Sequence, residues 1–173
     1  IRNTVININE YSLFAFIAFN ILRIFLMKIP KSIIFNSKES MLQHLKKGYS
    51  KEKSLVICNG FTRYAPIKKF KNKKDDFNII YVARYHPQKN HKLLFKSIAI
   101  FKQKYSFNFK LHLVGKGLNT KNKILIKHLK NLNIYENAIL YDLINPISVH
   151  KLFSKSDISL LLSTYGESFP NVI

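Results

Sequence analysis

The order of apolar and polar positions divides the chain into short helical and extended segments. Residues 11–27 are apolar apart from Ser12, Asn20 and Arg23, which predicts a helix. A membrane-spanning helix needs about 20 apolar residues and tolerates a central arginine poorly. The expectation is therefore a buried helix, or one lying on a bilayer surface with Arg23 and Lys28 reaching for the headgroups. Pro30 ends it. Ahead of it, Ile6 and Ile8 alternate with Asn7 and Asn9 in an extended pattern. Residues 32–36 read as a short buried strand, and Ser37 as the cap of a helix over 38–47 with Met41, Leu42 and Leu45 on one apolar face. Gly48 stops that helix, and a second strand over 54–58 closes on the Asn59-Gly60 turn.

The second half repeats one rhythm. Strands are predicted at 77–83, 109–114, 138–141 and 158–162, the first and the last of them buried. Between them lie a helix with Leu94, Ile98, Phe101 and Tyr105 on one face and a helix over 120–132 with a stripe of Ile124, Leu125, His128 and Leu129. A short helix over 148–154 follows. Strands alternating with helices predict a parallel, doubly wound α/β sheet.

Composition narrows the class. A hydrophobic content of 47% with 13% aromatic residues excludes a disordered chain. The net charge of +20, from 29 Lys and Arg against 9 acids, invites a nucleic-acid reading. Yet the lysines are scattered and accompanied by abundant Asn, Ile and Phe, the mixture that codon bias produces in an AT-rich genome. The densest run, Lys68 to Lys74, reads as a solvated connector, with attraction to anionic headgroups as the functional alternative. Cys58 is the single cysteine, so there is no internal disulfide and no cysteine metal site. The histidines show no metal-ligand spacing, and Ser163 lacks the Gly-x-Ser-x-Gly context of a hydrolase. No secretory signal is visible, so the default location is cytoplasmic. The chain starts at Ile1 and stops inside a motif, so it reads as an internal fragment of a longer protein.

The candidate chemistry sits in loops that follow strands, where free backbone N–H groups and helix N-termini collect. Arg84 and Lys89 follow the strand at 77–83. Two cations there can clamp a diphosphate, Arg as a fork and Lys as a point charge; in so basic a chain they also read as ordinary surface cations. Gly115 and Gly117 flank Lys116, either as a turn that lets strand meet helix or as part of a nucleotide pocket. The last loop, Ser163-Thr-Tyr-Gly-Glu-Ser-Phe-Pro-Asn-Val-Ile173, ends where Asn171 can cap a helix.

These stretches together resemble the family-four, group 1 glycosyltransferases. The last loop is similar to their donor-sugar loop, and Val82-Ala-Arg-Tyr-His-Pro-Gln-Lys-Asn90 to their Gly-Arg…Lys segment, with Ala83 in place of the usual Gly. Val114-Gly-Lys-Gly117 matches their Val-Gly-x-Gly. Ile33-Ile-Phe-Asn-Ser37, His44, Gly48-Tyr49 and Val56-Ile-Cys-Asn-Gly-Phe61 resemble the end of the family's N-terminal domain, although Thr62 stands where an Asp is usual. Ile1-Arg2-Asn3 is similar to a stretch of bacterial surface-polysaccharide members.

The resemblance implies a GT-B fold of two Rossmann-like domains. Residues 1–61 would be the end of the N-terminal acceptor domain, 62–76 a linker, and 77–173 most of the C-terminal donor domain. It implies that Arg84 and Lys89 hold the donor diphosphate, that Glu167 faces the transferred sugar, and that Phe169, Pro170, Asn171 and Val172 approach its hydroxyls and phosphate. Gly115, Gly117 and Leu143 would line the nucleotide pocket, with Ile147 as an alternative to Leu143. The family's second glutamate falls beyond Ile173. The implied activity is retaining, hexosyl-type transfer from a nucleotide-sugar to a lipid-linked or saccharide acceptor in bacterial capsule or lipopolysaccharide synthesis. No cofactor and no metal are expected, and no nucleic acid. The location would be cytoplasmic, with peripheral contact to the inner membrane. The alternatives are a non-catalytic basic module binding nucleic acid or anionic membrane, and another nucleotide-sugar enzyme of the same architecture.

Overall fold

The computed structural model describes residues 12–60, 76–105 and 108–164. They form two compact units, one within residues 12–60 and one within 76–164. The extended pattern at Ile6 and Ile8, most of the lysine-rich linker and the loop from residue 165 onward lie outside the described residues.

In the first unit, helix α1 (Leu13–Lys28) begins where the Ser12 hydroxyl accepts from the Ala15 N–H at 3.3 Å. Strand β1 (Ile33–Phe35), helix α2 (Lys38–Leu45) and strand β2 (Ser54–Val56) follow, and the two strands pair in parallel. Ile33, Phe35 and Tyr49 form a small core, with Met27, Met41 and Leu45 packed against it. The buried His44 ring lies against Phe35 and Tyr49, and its Nδ1 stands 2.7 Å from the Ser40 carbonyl.

Three expectations for this unit are corrected. Helix α1 is not buried: Phe14 is 86% exposed, and Leu13, Ile17, Ile21, Leu22, Ile24 and Phe25 are all exposed. The strands are one-sided, because Ile34, Leu55 and Val56 face outward from a sheet of two strands. On α2, Leu42 is exposed, whereas Ser40 and His44 are buried. A helix of two turns against so small a sheet covers it with the adjacent rows 40/44 and 41/45, which run four residues apart and leave 42 outside.

The second unit is a four-stranded parallel sheet in the order β5-β4-β3-β6. Strand β3 (Phe77–Val82) pairs with β4 (Phe109–Val114) along its whole length and with β6 (Ile158–Leu160) on its other side; β4 pairs with β5 (Ala138–Tyr141). Helices α3 (His91–Lys104), α4 (Lys123–Asn131) and α5 (Pro146–Lys155) connect them. Ile79, Ile80 and Tyr81 are consecutive and buried, as a parallel strand covered on both faces requires. Ile79, Tyr81, Leu111 and Leu113 pack with Leu94, Phe95 and Ile98 of α3 and with Leu125 and Leu129 of α4.

The stripe expected on α4 is too wide: Leu125 and Leu129 are fully buried, but Ile124 is 65% exposed. On α3, Tyr105 lies past the helix end, exposed, with its ring tilted onto Phe101. Helix α5 starts two residues before its apolar pattern, because the Asn145 side chain accepts from Ser148 N–H at 2.8 Å and Pro146 fits the first helical position. The strand expected to be buried at 158–162 is an edge strand of three residues: Ile158, Ser159 and Leu161 are exposed, while Leu160 and Leu162 touch the core. Among the described residues it pairs with β3 alone, and only alternate side chains point at packed neighbours.

Candidate functional site

All four strands of the second unit run the same way, so the segments following β3, β4, β5 and β6 emerge at one edge of the sheet. From β3 the chain moves outward through β4 to β5, then α5 carries it back to the opposite side of β3. The order of the strands therefore reverses between β3 and β6. In an open α/β sheet, the loops leaving such a pair ordinarily part to form a crevice, the usual ligand position.

The loop after β3 supplies the cations. Arg84 is exposed, and among the described residues its guanidinium bonds only the Gln88 side chain, at 3.4 Å. Lys89 is half-buried at the end of a short 3-10 turn (Pro87–Lys89), which the His86 side chain caps by accepting from Gln88 N–H. Asn90 then takes the left-handed conformation, φ 47°, and its side chain accepts from Leu93 N–H to start α3. Asparagine suits that position because its short polar side chain tolerates the conformation and caps the helix at once. Behind the loop, His91 is packed against Tyr81, Tyr85 and Phe95, with both its ring nitrogens buried. Burial pushes its pKa down to about 4.

The loops after β4 and β5 are tied to each other. Gly115 N–H donates to the Tyr141 carbonyl at 3.0 Å, and Gly117 N–H to the Asp142 carboxylate at 2.9 Å. The other Asp142 oxygen accepts from the Asn119 amide at 2.7 Å. The Asn119 amide and then the Gly117 N–H hold the exposed Asp142 carboxyl below its usual pKa. Both glycine N–H groups are thus engaged within the protein. What Gly115 provides is clearance: at φ 142° a Cβ would stand 2.4 Å from the Ala83 carbonyl oxygen, beside Arg84. Leu143 is 74% exposed on the loop after β5, and Ile147 is exposed at the start of α5.

The segment after β6 reaches back across the crevice. Thr164 donates both its N–H, at 2.9 Å, and its hydroxyl, at 3.1 Å, to the Gln88 carbonyl. Beneath them the Tyr81 hydroxyl reaches the carbonyls of Lys89 and Leu162. Of the residues expected at the site, Arg84 and Lys89 stand on the loop after β3, and Gly115, Gly117 and Leu143 on the neighbouring loops. Glu167, Phe169, Pro170, Asn171 and Val172 lie outside the described residues. The sequence reading missed Tyr81, Gln88, Asp142 and Thr164. A tyrosine directly after two isoleucines in a strand and an aspartate immediately after a strand were the available signals. Among the described residues no cluster of His, Cys, Asp or Glu has the arrangement of a metal site, and no helix is long and apolar enough to cross a membrane.

The sequence pattern of the glycosyl transferases group 1 family matches residues 65–173. Among solved structures, Anabaena HepE in complex with UDP and glucose is 20% identical, covering 96% of this chain and 46% of its own, with a TM-score of 0.74. The apo lipopolysaccharide outer core galactosyltransferase WaaB is 21% identical, covering 81% of this chain and 38% of its own, TM-score 0.63. S. aureus TarM, solved with UDP, α-GlcNAc-glycerol and fondaparinux, is 16% identical, covering 84% and 28%, TM-score 0.70. The chain spans less than half the length of each. These likenesses give the fold: α/β with parallel sheets, as in GT-B glycosyltransferases. No curated protein matches the chain in sequence.

Proposed function

The chain belongs to the glycosyl transferases group 1 family, and from that premise we propose that the full-length protein moves a hexosyl group from a nucleoside-diphosphate sugar to a lipid-linked or saccharide acceptor. The observation that supports the reading is the placement of Arg84 and Lys89 on the loop that follows β3, at the point where the strand order reverses. In the proposed reaction the bond between the anomeric carbon and the diphosphate breaks, and a bond to an acceptor hydroxyl forms. The hydroxyl proton leaves with the diphosphate as the second product. Negative charge grows on the departing phosphate oxygen, and two fixed cations beside it lower that barrier. Arg84 offers a planar fork for two oxygens and Lys89 a compact charge, a pairing that needs no metal ion to neutralise the diphosphate.

Glu167 and residues 169–172 belong to this proposal as the groups that meet the transferred sugar, with retention of its anomeric configuration. HepE and TarM were solved with UDP, which makes UDP the first nucleotide to test. WaaB is a lipopolysaccharide galactosyltransferase, and synthesis of a bacterial surface polysaccharide, lipopolysaccharide or capsule, at the cytoplasmic face of the inner membrane is the setting proposed here.

Calorimetric titration of UDP and GDP into the full-length protein tests the donor site. Micromolar binding of one nucleotide, lost at least about tenfold in each of Arg84→Ala and Lys89→Ala, is expected, since a charge-assisted contact contributes roughly 1.5–3 kcal/mol. Unchanged affinity in the double variant would sink the assignment. Binding that instead collapses steeply with salt and ignores both substitutions would mark a basic module without chemistry.

A further inference from the structure

Two hydrogen-bonded braces cross the crevice between β3 and β6, and both start from residues with no charge to offer a ligand. Tyr81 is fully buried in β3, with its ring edge-on to His91 at 5.2 Å between centroids. Its hydroxyl reaches the carbonyl of Lys89 on one side of the crevice and that of Leu162, at 2.9 Å, on the other. A phenol carries one proton, so these two carbonyls share a single donor, and neither loop can shift without altering the other's bond. The second brace is Thr164, which donates twice to the Gln88 carbonyl, while the Gln88 side chain accepts from Arg84. The ladder with β6 stops at Tyr81 and Leu160, and beyond it the Tyr81 hydroxyl and the two Thr164 donors carry the connection.

We infer that Tyr81 is a positioning residue for the donor site: its hydroxyl fixes the loop bearing Arg84 and Lys89 against the segment after β6, so that a diphosphate held by the cations orders both. The inference rests on the donor-site reading above. Tyr81 itself touches no ligand, being wholly enclosed; it acts through the Lys89 and Leu162 carbonyls. Phenylalanine fills the same volume and keeps the ring contact, so Tyr81→Phe removes the brace and leaves the core. Thr164→Val, at an exposed position, removes only the hydroxyl half of the second brace.

Amide hydrogen exchange on the full-length protein, with UDP or GDP present and absent, reads the coupling directly. In the wild type, nucleotide is expected to slow exchange both at residues 84–90 and at Ser163 and Thr164. In Tyr81→Phe at matched saturation, protection at 84–90 is expected to persist while that at Ser163 and Thr164 falls about tenfold; Thr164→Val is expected to show about a threefold fall. Equal protection of both segments in wild type and both variants overturns the role of Tyr81 and leaves the donor site standing. Absence of nucleotide protection anywhere in the wild type overturns both. Parallel loss at the two segments in Tyr81→Phe, at matched saturation, also overturns it, because the hydroxyl would then serve local folding only.

Discussion

At the scale of single residues, positions near the crevice are fixed by space and charge more than by reactivity. Gly115 sits at φ 142° with the Ala83 carbonyl where a Cβ would go. A backbone atom cannot swing aside as a side chain can, so Gly115→Ala is expected to destabilise the protein by roughly 2–4 kcal/mol, read as a shift in the denaturation midpoint. Gly117, also at positive φ but facing the Cβ of Tyr85 at 3.3 Å, is expected to suffer less. His91 makes a different prediction. Its folded pKa of about 4 lies below the ordinary 6.5, chiefly through burial and secondarily through the nearby Lys89 charge, with the His86 backbone opposing. Between these values the unfolded chain binds the extra proton, so stability is full above pH 6.5 and is lost as pH falls towards 4, by roughly 3 kcal/mol. Denaturation of His91→Phe across that range should show a correspondingly shallower pH slope. A residual slope of the same sign should remain, because His44 and His112 are lowered by burial too.

At the scale of elements, helix α4 separates what pattern specifies from what packing decides. Leu125 and Leu129 are fully buried, whereas Ile124 is mostly in solvent. Leu129→Ala is expected to cost about 2–5 kcal/mol and Ile124→Lys less than about 0.5 kcal/mol, measured by urea denaturation. The sequence could not rank these three, since each occupies an apolar slot of a helical repeat and only the neighbouring surface selects among them. Strand β3 was legible because Ile79, Ile80 and Tyr81 are buried in succession, and β4 because buried Phe109, Leu111 and Leu113 alternate with Lys110 and His112. The four residues of β5 are half-buried, yet form an unbroken apolar run after a turn. Edge strand β6 and helix α1 were not legible, for apolar composition there did not bring burial. Within the site, Arg84 and Lys89 were visible as cations after a strand. The bonds that tie their loop to the segment after β6 were not, because Thr164 meets Gln88 across 76 positions and Tyr81 meets Leu162 across 81.

At the scale of the molecule, charge and apolar exposure bear on the proposed setting at the inner membrane. The net charge is +20, and α1 carries Phe14 and Phe25 exposed alongside Lys28 at its last turn. Peripheral membrane contact, proposed above, would therefore depend on both. The full-length protein is expected to sediment with vesicles containing anionic phosphatidylglycerol, several-fold less in Phe14→Ser with Phe25→Ser, and less in high salt. Retention unchanged by the double substitution would reduce the contact to charge alone. The order β5-β4-β3-β6 also governs how the protein is made. Strands β3, β4 and β5 are adjacent in sequence and in space and can pair as they are synthesised, but the other edge of β3 waits for a partner near residue 158. Until then Ile79, Ile80 and Tyr81 present an unpaired apolar edge, the kind that recruits strands from other chains. The pairing of β3 with β6 is thus the last part of this unit to form, and a nascent chain halted short of β6 would be sticky while the loop after β3 still lacked its braces.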